Sequence, residues 1–155
     1  MKAHNAVAVG GTFDNFHLGH VQLLLKCIET GENIIIGITS DELAKDKNHE
    51  IDPLYERKKF LNDFFSFNNI NKNTITTIIL NDPYGPTISN SKISTIIVSE
   101  DTLARAIEIN KIRENRNIIP LKIIIIQMFK DIDLRPISST KLKRQERSCE
   151  KFFAV

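Results

Sequence analysis

The sequence predicts an α/β protein: a Rossmann-like, doubly wound domain on a five-stranded parallel sheet. Three observations carry that prediction. Short aliphatic blocks recur along the chain and are continuous, not alternating, as in strands buried on both faces. Between them lie stretches with apolar residues at one-face helical spacing, so strand and helix alternate. The irregular stretches that matter follow strand ends, where the loops of such a sheet rim its ligand crevice.

Taken in order, the first strand is Ala6 to Val9, followed by a helix with Val21, Leu24, Leu25 and Ile28 on one face. Asn33 to Ile38 forms the second strand, and the irregular stretch Lys45 to Pro53 leads to a helix carrying Arg57, Phe60, Leu61 and Phe64. Thr76 to Leu80 is the third strand, Asn81 to Pro86 the next irregular stretch, and Thr95 to Val98 the fourth strand. A helix with Leu103, Ala106, Ile107 and Asn110 in its stripe comes next, then a fifth strand, Leu121 to Met128. After the irregular Lys130 to Ser138, the tail from Ser139 reads as a last helix rich in lysine and arginine. The three irregular stretches are expected to rim one crevice, beyond the carboxyl ends of the strands where the strand order reverses.

Bulk properties narrow the function. The 155 residues suit one domain spanning 1–155, and 41% hydrophobic with 26% charged residues is the composition of an ordinary globular chain. A formal net charge of +2 argues against nucleic acid as the main partner, because phosphate-backbone binders carry a larger basic excess. Cys27 and Cys149 form no zinc or redox spacing, which points to a reduced, cytoplasmic setting, and Cys27, one turn after Leu24, reads as core packing. The longest aliphatic blocks are too short to span a bilayer.

The chemistry is concentrated where the first strand meets its helix, in Gly10-Gly11-Thr12-Phe13-Asp14-Asn15-Phe16-His17-Leu18-Gly19-His20. Two glycines let backbone approach a ligand, and a helix start offers N–H groups and a positive dipole end to phosphate. His17 and His20 lie one turn apart, so their imidazoles project to the same side, suited to triphosphate oxygens. The bland alternative is that Thr12 and Asp14 cap a turn and the histidines are satisfied polar groups at a helix end. Metal ligation by the two histidines and the aspartate is the other rival, ranked below because an amino-terminal loop favours an anion. The spacing G-T-F-D-x-x-H-x-G-H resembles the H-x-G-H signature of the nucleotidyltransferase superfamily. A second family signature, I-S-S/T-T-x-I-R/K, is matched by Ile137-Ser138-Ser139-Thr140-Lys141-Leu142-Lys143.

Within that superfamily the chain resembles the archaeal and eukaryotic phosphopantetheine adenylyltransferases over nearly its whole length. The marks are Gly37-Ile38-Thr39-Ser40-Asp41-Glu42, Tyr55-Glu56-Arg57-Lys58, Asp82-Pro83-Tyr84-Gly85-Pro86, Val98-Ser99-Glu100-Asp101-Thr102 and Ile109-Asn110 with Arg113. Asp101 stands where glutamate is usual and Lys143 where arginine is frequent.

The resemblance implies transfer of AMP from ATP to 4′-phosphopantetheine, giving dephospho-coenzyme A and pyrophosphate. Magnesium is expected to arrive with ATP, and no protein metal site is expected. His20, His17 and Lys45 are the implied catalytic residues. Gly11, Thr12, Phe13, His17, His20, Ser99, Thr102, Asn110, Arg113, Ser138, Ser139 and Thr140 are assigned to ATP. Thr12, Asp14, Lys45, Asp82 and Tyr84 are assigned to the acceptor, with Lys45 preferred to Lys47. Asn110 and Arg113 continue an apolar helical stripe, so each needs a buried partner, which bound nucleotide or a local cap could supply. Arg57 and Tyr84 are open between structural and ligand roles. The alternatives are a cytidylyltransferase, another adenylyltransferase with a different phosphate acceptor, or a catalytically silent nucleotide-binding module.

Overall fold

A computed structural model describes residues 5–46 and 49–128. Five strands are present among them: β1 Ala6–Gly11, β2 Asn33–Thr39, β3 Ile75–Leu80, β4 Ile93–Ser99 and β5 Lys122–Ile126. They form one sheet in the order β3-β2-β1-β4-β5, and every neighbouring pair is parallel. The chain steps outward from β1 through β2 to β3, then returns across β1 to β4 and β5. The reversal therefore falls between β1 and β4, the place where such sheets bind ligands.

Helices α1 (Leu18–Thr30), α2 (Asp41–Ala44), α3 (Leu54–Phe67) and α4 (Leu103–Asn115) connect these strands. Because side chains alternate across a strand, β1 sends Val7 and Val9 to one face and Ala6 and Ala8 to the other. The first face is filled by α1 and α3, with Phe16, Leu24, Leu61 and Phe64 packed on Ile34, Ile36 and Ile38. The second is covered by α4, whose Ala106 and Ile109 meet Ala6, Ala8, Ile96 and Val98. The sheet is thus wound on both sides, as expected.

Three sequence expectations need correction. Strand β1 continues two residues past Val9, with Gly10 paired to Gly37 and Gly11 to Ile38, because a central strand keeps its ladder even where side chains are missing. Continuous aliphatic blocks predict burial on both faces, which fails at the two edge strands: Ile79 of β3 and Ile125 of β5 are about half exposed. In α4 the inward stripe is Ala106, Ile109 and Arg113, while Ile107 is 44% exposed. The buried Arg113 guanidinium fixes which way that helix is turned. The expected stretch 130–138, the tail helix and the I-S-S-T signature lie outside the described residues.

Candidate functional site

The loop from β1 into α1 is built around its own histidines. His17 precedes the helix in extended conformation; its Nδ1 accepts from Gly19 N–H at 3.1 Å, while His17 N–H donates to His20 Nδ1 at 3.2 Å. The two imidazoles stack with centroids 3.9 Å apart. A ring whose Nδ1 accepts a hydrogen bond carries its proton on Nε2 when neutral, so both present Nε2–H as donor. Burial lowers the His17 pKa from its usual value, which favours that neutral form. The His20 ring is further held by Phe13 and Phe16, each with its centroid 5.3 Å away. Phe13 and Asn15 both have left-handed backbone (φ 54° and 45°), a conformation that costs a bulky residue free energy and that dense surrounding packing maintains. A Cβ on Gly19 would lie 2.9 Å from Cε1 and 3.0 Å from Nδ1 of the His17 ring, so a side chain there would press on the imidazole that caps the helix.

A buried arginine ties this loop to its neighbours. Arg57, 0% exposed, donates from Nη1 to the carbonyls of Thr12 (2.9 Å) and Thr39 (2.7 Å) and from Nε to that of Asp52 (2.8 Å). Its Nη2 pairs with Asp41 at 2.8 Å. One side chain therefore sets the spacing between the carboxyl ends of β1 and β2 and the loop that precedes α3. Asp14 acts similarly, with Oδ1 accepting from Asp52 N–H at 2.8 Å and Oδ2 lying 3.7 Å from His49 Nε2.

Beside these loops, on the α4 side of the sheet, lies a crevice of about 590 Å³. Its floor is made by Ala8, Gly10, Gly37, Ile78, Leu80 and Val98, so it is apolar and nearly without side chains at its centre. Its walls come from Tyr84 and Pro86 in the loop after β3, and from Asp101, Thr102, Arg105 and Glu108 leading into and along α4. Tyr84 Oη donates to Glu108 at 2.6 Å, which raises the phenol's pKa, and Arg105 also meets Glu108 at 3.2 Å. Gly11, Thr12 and Thr39 join the crevice to the histidine loop.

Of the residues assigned from sequence, Gly11, Thr12, Tyr84 and Thr102 line this crevice, and His17 and His20 stand at the adjoining helix start. Ser99 is buried and shares a reciprocal cap with Thr102, whose Oγ1 accepts from Ser99 N–H at 3.1 Å. Phe13 is 1% exposed, so its ring serves the core. Asp82 shapes its loop by accepting from Tyr84 and Gly85 N–H, both at 2.8 Å. Lys45 is exposed and paired with Glu42 at 2.7 Å, a contact that raises its pKa. Ser138, Ser139, Thr140 and Lys47 lie outside the described residues.

Asn110 and Arg113 are held by backbone groups. Arg113, 1% exposed, donates to the carbonyls of Ile119 (2.8 Å), Thr87 (2.6 Å), Asn90 (3.2 Å) and Ile93 (3.1 Å). Asn110 bonds both ways with the Leu121 backbone, at 3.0 and 2.7 Å. Ile93 begins β4 and Leu121 precedes β5, so both side chains sit near the amino ends of the strands. Each has backbone partners here, the local alternative that the sequence left open, and one of those partners, Thr87, lines the crevice. Conversely, nothing in the sequence marks Arg105 and Glu108 as wall residues, because charged positions on a helix read as solvated.

Residues 8–145 match the cytidylyltransferase-like family. The chain is 41% identical over 145 residues to the phosphopantetheine adenylyltransferase of Methanothermobacter thermautotrophicus, covering 94% of this chain and 87% of that one. It is also 41% identical over 132 residues to the protein of the same name from Pyrococcus horikoshii, covering 84% and 82%. Among solved structures, a protein of unknown function from Archaeoglobus fulgidus matches with a TM-score of 0.71 at 26% identity, over 84% of this chain and 96% of that one.

Proposed function

This chain belongs to the cytidylyltransferase-like family, and from its similarity to archaeal phosphopantetheine adenylyltransferases we propose that it transfers AMP from ATP to 4′-phosphopantetheine. The products are dephospho-coenzyme A and pyrophosphate. The observation that carries this reading is the union of two unlike surfaces, a helix start bearing two Nε2–H imidazoles and an apolar trough joined to it through Gly11 and Thr12. The first suits a triphosphate and the second suits the uncharged arm of the acceptor.

In the reaction, an oxygen of the acceptor phosphate forms a bond to the α-phosphorus of ATP, while the bond from that phosphorus to the bridging oxygen breaks and pyrophosphate leaves. A phosphate is already anionic, so alignment and charge stabilisation are the protein's work and no strong general base is needed. His20 and His17 donate to the α-phosphate oxygens as charge builds. Thr12, together with Lys45, orients the acceptor phosphate. Ser138, Ser139 and Thr140 hold the β- and γ-phosphates. Arg57 and Asp14 fix the loops that carry these groups. The helix start offers imidazole and N–H donors where a hard cation prefers oxygen, so magnesium belongs on the nucleotide's own phosphates, where it neutralises their charge.

Incubating the protein with ATP, magnesium and 4′-phosphopantetheine, and detecting products by mass, is the direct test. Dephospho-coenzyme A with equimolar pyrophosphate is expected. Product with CTP in preference to ATP identifies a cytidylyltransferase instead, and nucleotide binding without pyrophosphate release identifies a silent module.

A further inference from the structure

Helix α3 begins without a cap of its own. Pro53 stands before it, and a proline ring offers no side-chain acceptor to the N–H groups that a first helical turn leaves open. The acceptor comes instead from 13 residues upstream: Asp41 Oδ1 receives the Leu54 N–H at 2.8 Å. The same oxygen receives Arg57 Nη2 at 2.8 Å, so one carboxylate caps α3 and pairs with the arginine buried in it. Asp41 is also the first residue of α2, a single turn that Ser40 caps by accepting from Leu43 N–H at 3.1 Å. Lys45 closes that turn as its C-cap, four residues or about 6 Å along the axis from Asp41. The chain from Asp41 to Leu54 is therefore closed on itself. Its far end is held twice more, by Asp14 on the Asp52 N–H and by Arg57 Nε on the Asp52 carbonyl, both at 2.8 Å.

We propose that Asp41 is a positioning residue for the reaction: by capping α3 from the first residue of α2, it fixes the turn that carries Lys45 and so places the lysine for the acceptor phosphate. This rests on the reaction proposed above, with Lys45 meeting the acceptor, and adds the residue through which Lys45 is held. Asp41 is mostly exposed and does not line the crevice, so its carboxylate can be removed without emptying the core or the trough. Arg57 then keeps the carbonyls of Thr12, Thr39 and Asp52, which hold the fold. What is lost is the tie between α2 and α3. Because the Leu54 N–H is neutral, an asparagine oxygen can still accept from it, whereas the charge opposite Arg57 is gone.

Asp41→Ala is the test, with Asp41→Asn as the conservative variant. In the first, the KM for 4′-phosphopantetheine should rise and kcat/KM for it should fall about tenfold or more, as when a group that aligns a reactant is misplaced. The KM for ATP should stay within about twofold, since the histidine loop keeps its own bonds. Asp41→Asn should lie between Asp41→Ala and the parent protein. Adding Asp41→Ala to Lys45→Ala should cost nothing further, because both changes remove the same interaction. A merely structural role would instead shrink the folded fraction, lowering kcat with both KM values intact and adding in full to Lys45→Ala. That pattern overturns the proposal, as does Lys45→Ala with the parental acceptor KM. Absence of turnover in the unsubstituted protein would sink the reaction assignment, and amide hydrogen exchange then decides the tie. The N–H groups of Asp52 and Leu54 should exchange faster in Asp41→Ala while those of α1 keep the parental rate, and unchanged exchange at Leu54 refutes the tie.

Discussion

Arg57 and Arg113 are the two largest fully buried side chains among the described residues, and they stand at opposite ends of the same sheet. Both solve the problem of a buried guanidinium in the same manner, by donating to backbone carbonyls. Arg57 joins carbonyls at the carboxyl ends of β1 and β2 and has one carboxylate partner, Asp41, that is itself mostly exposed. Arg113 joins the starts of β4 and β5 and has only carbonyl partners among its hydrogen bonds. The chemistry is shared, and position along the strands decides the consequence. Arg57 holds the loops that would bind substrates, whereas Arg113 holds the frame beneath them.

The largest effect that bears on this contrast is the loss of either guanidinium. Arg113→Met leaves four carbonyls without their donor and should cost about 3–5 kcal/mol in chemical denaturation, as removal of a buried hydrogen-bonded charge does. Activity per folded molecule should remain near that of the parent protein. Arg57→Met should destabilise by a similar amount and also lower kcat and raise the acceptor KM, since Thr12 and Asp52 lose their common anchor. Equal kinetic damage in both variants would break the comparison, and Arg57→Lys should recover less than half of the lost activity because an ammonium cannot span three directions as a planar fork does.

A smaller effect in free energy, though larger in rate, is expected from His20. Removing one donor to charge that develops in the transition state costs about a hundredfold or more in turnover, near 2.7 kcal/mol. His20→Ala should therefore abolish most pyrophosphate release, while its helix-capping role predicts a stability loss of only about 1 kcal/mol. Near-normal turnover would leave His20 as a structural cap, the reading its hydrogen bond to His17 N–H makes respectable. This variant sharpens the contrast between the two ends, because it separates rate from stability in the direction opposite to Arg113→Met.

How much of this was legible in the sequence follows from what kind of signal each part leaves. The sheet, its strand order reversal and the faces of α1 and α3 were readable, because aliphatic blocks and helical spacing are local patterns. The histidine loop was readable as a motif. Arg57 and Arg113 were not separable, since each sits in an apolar helical stripe and nothing local says which end of a strand its guanidinium will reach. The trough was invisible for a related reason: Gly10, Gly37 and Leu80 become one surface only through the β1 to β2 to β3 register. Ile107 reads as inward because hydrophobicity alone cannot tell two adjacent sides of α4 apart, a choice made by the Arg113 bonds.

The smallest effect is a pH dependence at the helix start, and its sign is fixed by geometry. Burial lowers the His17 pKa, so the unfolded chain binds a proton there more readily than the folded one. Stability from this group is then full above the unfolded value of about 6.5 and is lost as pH falls through the lower folded value. Local bonding pushes the same way. A protonated imidazole has donors on both nitrogens, so Nδ1 of His17 could no longer accept from Gly19 N–H, and two imidazolium rings 3.9 Å apart at a positive helix end would repel. Comparing the parent protein with His17→Asn, which retains a side-chain acceptor, by thermal unfolding from pH 5 to 8 isolates the effect. The parent's advantage should be greatest above pH 7 and shrink toward pH 5. A difference that is flat, or that grows on acidification, would mean that the ring is charged in the folded protein, and the neutral Nε2–H donor assigned to the α-phosphate would have to be abandoned.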